Sequence, residues 1–138
     1  MRRLYLDSSA LAKRYVQESG TDAVLDRCRE ATEVGLSVLS YPEVISCFNR
    51  LLREGKLTTS DYRKLKTGLC LDLDGAAILD ITPGIIALAV RCLELEPVRA
   101  ADALHVATAR EFACGLFLSS DRAQCIAAER LGLRAELI

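Results

Sequence analysis

At 138 residues, with 18 Lys and Arg against 19 Asp and Glu, the chain carries a formal net charge of −1 at pH 7. That length predicts one domain, residues 1–138, with room for a real core, and the charge balance excludes a broad non-specific nucleic-acid binder while allowing a local basic patch. The apolar fraction of 51% is more than a small domain buries easily, which predicts a subunit or partner interface.

In chain order, Leu4-Tyr5-Leu6 behind Arg2 and Arg3 reads as a buried strand, and Asp7 stops it. Two serines then open a helix over about Ser9–Glu18, with Leu11, Tyr15 and Val16 as its buried stripe and Gly20 as its stop. Asp7 thus stands at the carboxyl end of a strand, the edge where open α/β sheets bind ligands, and is equally a candidate helix cap. Lys13 and Arg14 fit either a solvated face or contact with a phosphate chain passing Asp7. Thr21 caps a second helix, with Ala23, Val24, Leu25 and Cys28 at apolar positions, and Val34–Val38 is a second buried strand.

Ser40-Tyr41-Pro42-Glu43 opens the third helix. Pro42 suits a first helical turn, and Ser40 with Glu43 matches the S-x-x-E capping box, in which the glutamate bonds back to the cap's amide. Glu43 therefore has a complete structural explanation, yet it also follows a strand's carboxyl end. That helix passes through Phe48 and Leu52 and stops at Gly55. Thr59 or Ser60 caps a fourth helix with Tyr62, Leu65, Leu69 and Leu73 on one face. Asp72 and Asp74 at its end read as solvated acids, which the helix dipole disfavours there. Ala77–Ile81 is a third, shorter strand; Thr82 and Pro83 start a fifth helix that runs to about Leu95, and Pro97 breaks the chain.

Arg99–Ala109 is an alanine-rich sixth helix with Asp102 in its first turn, where the dipole favours an acid, and Gly115 ends it. Leu116-Phe117-Leu118, followed by Ser119-Ser120-Asp121, repeats the opening design of a strand stopped by serines and an acid. A seventh helix runs to Leu131, Gly132 caps it, and Leu133–Ile138 is a last strand. Alternating strands and helices predict an α/β fold with a central parallel sheet of about five strands, flanked by helices on both faces. The six cysteines (Cys28, Cys47, Cys70, Cys92, Cys114 and Cys125) contain no C-x-x-C pair and no zinc-type spacing. They read as reduced core residues of a cytoplasmic protein. The amino terminus reads as a core strand rather than a signal peptide, and no apolar run is long enough to span a membrane.

Four acids share one description. Asp7 and Asp121 end strands, and Glu43 and Asp102 lie in first helical turns; a parallel sheet carries such positions to one edge. A haloacid-dehalogenase-type phosphatase would want a second acid where Ser9 stands. A response-regulator receiver would want an early acid pair and a late lysine, and no Gly-rich phosphate loop is present.

Tyr5-Leu6-Asp7-Ser8-Ser9-Ala10-Leu11, Ser40-Tyr41-Pro42-Glu43-Val44, Ala101-Asp102-Ala103-Leu104-His105-Val106-Ala107-Thr108-Ala109 and Leu118-Ser119-Ser120-Asp121 resemble, in order and spacing, the motifs of the PIN-domain nucleases. Within that family the resemblance is to the VapC toxins of type II toxin–antitoxin pairs. It implies a PIN-like fold and an acid quartet of Asp7, Glu43, Asp102 and Asp121 that binds Mg2+ or Mn2+ and hydrolyses RNA. It also implies a homodimer held in check by a small antitoxin protein. The alternative is a PIN domain kept as an interaction module with little activity. Asp7 and Asp102 would be direct metal ligands, and Glu43 and Asp121 would serve a second ion or orient water and metal. Carboxylates held together repel one another, so the metal-free site should be strained. Ser8, Lys13, Arg14 and Ser119 are candidate substrate contacts, and Ser119 stands where the family often has threonine. Ala123, Gln124 and Cys125 occupy positions where some members carry a further acid. His105, the single histidine, lies one turn from Asp102 and reads as a packing residue, with substrate contact as its other role.

Overall fold

The computed structural model describes residues 2–138. Its elements in chain order are β1 (Arg3–Leu6), α1 (Ser8–Ala12), α2 (Thr21–Glu30), β2 (Glu33–Ser37), α3 (Ser40–Arg53), α4 (Thr59–Asp74), β3 (Ala77–Leu79), α5 (Pro83–Leu95), α6 (Ala100–Glu111), β4 (Leu116–Ser119), α7 (Arg122–Arg130) and β5 (Ala135–Leu137). The strands form one sheet in the order β3-β2-β1-β4-β5, and every pairing is parallel. The expected α/β architecture with a five-stranded parallel sheet is the one observed.

Alternation along the strands builds a core on each face. Leu4, Leu6, Leu36 and Leu118 point to one face, where Leu11, Val24, Val44, Phe48 and Leu69 of α1 to α4 cover them. Tyr5 and Phe117 point to the other, against Ile85, Ala89, Ala103, Val106 and Ala127 of α5 to α7. Ala103, Ala107 and Ala109 of α6 are fully buried, so that helix lies close on the sheet. Tyr5 is opposite Gly35 on β2 and Phe117 on β4. The rings of Tyr5 and Phe117 stack 5.7 Å apart at an interplanar angle of 5°. Gly35 is required here: a Cβ would lie 2.5 Å from the Phe112 ring, which fills the space beside it.

Several boundaries differ from the sequence expectation, each for a local reason. The first helix stops at Ala12 rather than Glu18, and the next residues turn by bonds from Lys13, Arg14 and Tyr15 amides to Ala10, Leu11 and Ala12 carbonyls. Lys13 Nζ then donates to the Ser19 carbonyl at 2.8 Å and to Glu18 Oε1 at 3.0 Å, which folds the segment back on itself. Gly20, with φ of 95°, begins α2 instead of ending the first helix. Thr21 is already helical, and its Oγ1 accepts from the Glu18 amide at 3.0 Å. The α4 cap is Thr58, which forms a capping box with Asp61, not Thr59 or Ser60. Asp72 is not merely solvated, since it accepts from Tyr15 Oη at 2.6 Å and pairs with Arg14 Nη2 at 3.3 Å. Helix α6 runs on to Glu111 and is turned by Ala113 at φ of 57°, while the Gly115 amide donates to Arg3 O at 2.7 Å and starts β4 beside β1. Strands β3 and β5 are shorter than expected.

Gly35→Ala should lose about 1–3 kcal/mol in a denaturant melt, the cost of overpacking a filled core. Adding Phe112→Leu, which removes the ring that the new methyl meets, should recover part of that loss. An unchanged melting curve for Gly35→Ala would contradict this packing.

Candidate functional site at the ends of β1 and β4

The strand order reverses direction between β1 and β4, so the chain leaves these neighbours toward opposite sides of the sheet. Such a switch point opens a crevice at the strands' carboxyl ends. Asp7 directly follows β1 and caps α1; its Oδ1 accepts from the Ala10 amide at 2.9 Å and from Ser9 Oγ at 2.7 Å. Both readings of Asp7 therefore hold together: it is a helix cap and it sits at the switch point. Ser119, the last residue of β4, donates its hydroxyl to Asp7 Oδ2 at 2.6 Å and accepts the Asp121 amide at 2.9 Å. Asp121 caps α7 and accepts the Gln124 amide at 3.2 Å. Gln124 Nε2 in turn donates to Asp102 Oδ1 at 3.1 Å. Asp102 Oδ2 accepts the Arg99 amide at 3.3 Å and lies 3.6 Å from Arg99 Nε.

Glu43 corrects an expectation. The Ser40–Glu43 capping box does not form: α3 already includes Ser40, and Leu39 precedes it without a side-chain cap. The Leu39 amide donates to Ser37 Oγ at 3.1 Å instead. Ser40 Oγ is buried and has no partner among the described residues. Glu43 is left free to turn toward the switch point, where its Oε1 accepts from Ser8 Oγ at 2.7 Å and meets His105 Nε2 at 2.6 Å. His105 Nδ1 lies 2.7 Å from Tyr5 Oη.

The four acids thus belong to two hydrogen-bonded groups that adjoin through Asp7-Ser8-Ser9. One is Asp7–Ser119–Asp121–Gln124–Asp102, and the other is Ser8–Glu43–His105–Tyr5. Asp7 is 2% exposed. Burial is what pushes its carboxyl above the usual range, against the opposing pull of the Ser119, Ala10 and Ser9 donors. The strain expected from acid–acid repulsion is in Asp7 a desolvation effect. Glu43 is held below the usual carboxylate range, chiefly by the His105 hydrogen bond. Burial, with Asp7 and Glu43 nearby, raises the Tyr5 phenol well above its ordinary value.

Among the described residues no three His, Cys, Asp or Glu side chains close into a metal-ligand cluster. Of the four candidate substrate contacts, none stands free at this edge. Ser119 is fully buried and spent on Asp7 and Asp121. Ser8 is spent on Glu43, Lys13 is buried against Glu18 and Ser19, and Arg14 is paired with Asp72. Gln124 stands where some family members carry a further acid, but the sequence assigns neither it nor Tyr5 a role in the site. Gln124 is 2% exposed, a rare burial for a glutamine, and its Oε1 has no partner among the described residues. Its place three residues after a helix-capping acid was the available signal.

The sequence profile of the PIN domain matches residues 4–130. The chain belongs to the PIN-domain family. This PIN domain is similar in structure to the crystal structure of FitAcB from Neisseria gonorrhoeae, with a TM-score of 0.74, 17% identity and coverage of 96% of this chain and 95% of that one. It is also similar to VapBC-1 from nontypeable Haemophilus influenzae, with a TM-score of 0.69, 12% identity and coverage of 98% and 97%. A third likeness is to VapC20 of Mycobacterium tuberculosis, a sarcin–ricin-loop-cleaving toxin, with a TM-score of 0.67, 14% identity and coverage of 90% and 94%. No curated protein matches the chain in sequence.

Ser40→Ala separates the two accounts of Glu43 without touching it. An unpartnered buried hydroxyl contributes nothing favourable, so the substitution should leave stability within about 0.5 kcal/mol of wild type or raise it. A working capping box would instead lose about 1 kcal/mol. Chemical denaturation of the two proteins decides between them.

Proposed function

We propose that this PIN domain is a metal-dependent endoribonuclease and the toxin half of a toxin–antitoxin pair. The observation that carries the reading is the gathering of Asp7, Glu43, Asp102 and Asp121, from four separate elements, into adjoining hydrogen-bonded groups at the sheet's switch point. Supporting it are the PIN-domain match and the likeness to toxin–antitoxin proteins, one of which cleaves the sarcin–ricin loop.

The donor set fits a hard divalent cation. It is all oxygen, and magnesium is commonly held by one or two carboxylates with water filling the rest, so a closed protein cage is not required. Gln124 contributes a buried oxygen with no other partner beside two of the acids. Asp7 is a buried carboxylate whose charge a cation would compensate. In this reading Asp7 and Asp102 would hold Mg2+ or Mn2+, with Glu43 and Asp121 serving a second ion or orienting water. A bound ion supplies an acidified water and steadies charge on the scissile phosphate. The chain's own residues do the aiming. Ser9 and Ser119 fix both oxygens of Asp7, Gln124 spaces Asp102 from Asp121, and Glu43, ionised at neutral pH, accepts a proton from an attacking water.

The partners we propose are RNA, a small antitoxin protein and a second copy of the chain. The exposed apolar positions Ile86, Val90 and Leu93, at 49%, 49% and 38%, lie on one face of α5 and suit such an interface. Among the described residues no helix is long and apolar enough to cross a membrane.

Mn2+ should raise the melting temperature of the wild type, because it binds only the folded state. Asp102→Asn should remove that response while keeping metal-free stability within about 1 kcal/mol. Equal metal-induced shifts in both proteins would refute the site. Purified wild type should cleave RNA with Mn2+ present, and Glu43→Gln should slow cleavage by on the order of a hundredfold while staying folded. In cells, induced wild type should arrest growth and equally expressed Asp7→Asn should not. A wild type that neither cuts RNA nor arrests growth would favour the interaction-module reading.

A further inference from the structure

Tyr5 and His105 are 0% and 2% exposed, yet they carry polar groups into a core where Tyr5 packs among Phe117, Val106 and Ala107 with the buried Thr108 hydroxyl beside its phenol. Burying such groups costs free energy unless each is paired. Tyr5 and His105 pair with each other and then with one acid of the site. Tyr5 Oη is 2.7 Å from His105 Nδ1, and His105 Nε2 is 2.6 Å from Glu43 Oε1. The rings meet edge to face at 6.0 Å. A neutral phenol carries one proton and a neutral imidazole carries one, so the two bonds constrain each other. Glu43 is ionised and can only accept, so His105 donates from Nε2. In a neutral ring Nδ1 is then bare and accepts the Tyr5 proton. Ser8 Oγ donates to the same Oε1 at 2.7 Å and lies 3.2 Å from His105 Nε2. Two donors therefore converge on Oε1, while Oε2 accepts from no donor among the described residues. The Glu43 side chain remains 36% exposed, so that second oxygen reaches solvent.

We propose that Tyr5 and His105 are positioning residues for Glu43: they lock Oε1, with the help of Ser8, and leave Oε2 as the oxygen offered to a metal ion or its water. This rests on the nuclease reading above. A histidine wedged only for packing could be replaced by any residue of its shape. A positioning histidine needs a donor at the Nε2 position, while the Nδ1 position serves only to hold the ring. Partners of this kind typically change metal affinity by about 10–100-fold when lost.

The chain has one histidine, so its ring nitrogens can be read without ambiguity by 15N NMR of the metal-free protein. The expected spectrum shows the proton on Nε2 in wild type and in Tyr5→Phe, where Glu43 still accepts it, and a mixture of tautomers in Glu43→Ala. A wild-type ring protonated on Nδ1 alone overturns the proposal whatever the protein's activity. The second arm uses two substitutions that split the imidazole. His105→Gln places an amide N–H near the Nε2 position and loses the Tyr5 partner. His105→Asn keeps a partner for Tyr5 and loses the donor to Glu43. Mn2+ affinity by calorimetry should stay within about threefold of wild type in His105→Gln and fall about tenfold in His105→Asn, with kcat following the same order and KM for RNA little changed. Equal affinities in the two variants, with activity tracking only their metal-free melting temperatures, would overturn the positioning role while leaving the nuclease reading intact. A wild type that binds no Mn2+ overturns both.

Discussion

Ser119 Oγ donates to Asp7 Oδ2 at 2.6 Å, and this bond ties together the ends of the two central strands. It stands where the sheet's direction of winding reverses, the one place in a parallel sheet where neighbouring strands send their following helices to opposite faces. Asp7 N also donates to Leu118 O at 3.2 Å, so backbone and side chain reinforce the same junction. Asp7 is almost wholly buried, and an ionised carboxylate removed from water is tolerated only with donors on it. Three hydroxyl or amide donors supply them, and they belong to two structural jobs: Ser9 and Ala10 open α1, and Ser119 ends β4. The acid consequently cannot shift without disturbing a helix start or a strand end. That coupling explains how a site made from short side chains on separate elements keeps one arrangement.

The sheet and its acids were legible because they follow from pattern. Apolar triplets stopped by Asp7 and by Ser119-Ser120-Asp121 mark strand ends, and the alternation of elements implies parallel pairing and a common edge. Failures cluster where a short motif competes with a tertiary partner. Ser40 and Glu43 fit a capping box at the level of spacing. Ser40 already lies inside α3, however, and Ser8 and His105 drew Glu43 the other way. Both partners are remote in sequence, 35 and 62 residues off, so no window around α3 contains them. The first helix ended early for a similar reason, since Lys13 folds back on Ser19 in a contact that helical periodicity does not anticipate. The positive φ of Ala113 was hidden because a glycine two residues later made the more obvious stop.

Gln124 and Tyr5 draw no site role from the sequence because neither looks like chemistry in isolation. A tyrosine in a buried strand is ordinary, and a glutamine in an amphipathic helix is usually solvated. Their meaning comes from what the topology sets opposite them. Tyr5 sits on β1 with its hydroxyl toward α6, which carries both Asp102 and His105. Gln124, on α7, joins the first turn of α6 to the start of its own helix. Helix α6 thus contributes to the site twice, through its partly exposed first turn and through the buried turn behind it. The alanines that let it lie close on the sheet are what bring both within reach.

The junction between β1 and β4 joins residues 112 positions apart in the chain. Contacts of such separation form only after the loop-closure entropy of the intervening segment has been overcome, and parallel pairings of this kind are slow to assemble. During synthesis, β1, β2 and β3 emerge and can pair while Asp7 still lacks Ser119, and Asp102 lacks Gln124. A ribosome making this chain therefore carries most of a sheet before it carries any complete version of the acidic edge. The order of elements along the chain acts as a timer, holding the nascent protein without its assembled site until β4 and α7 have been made.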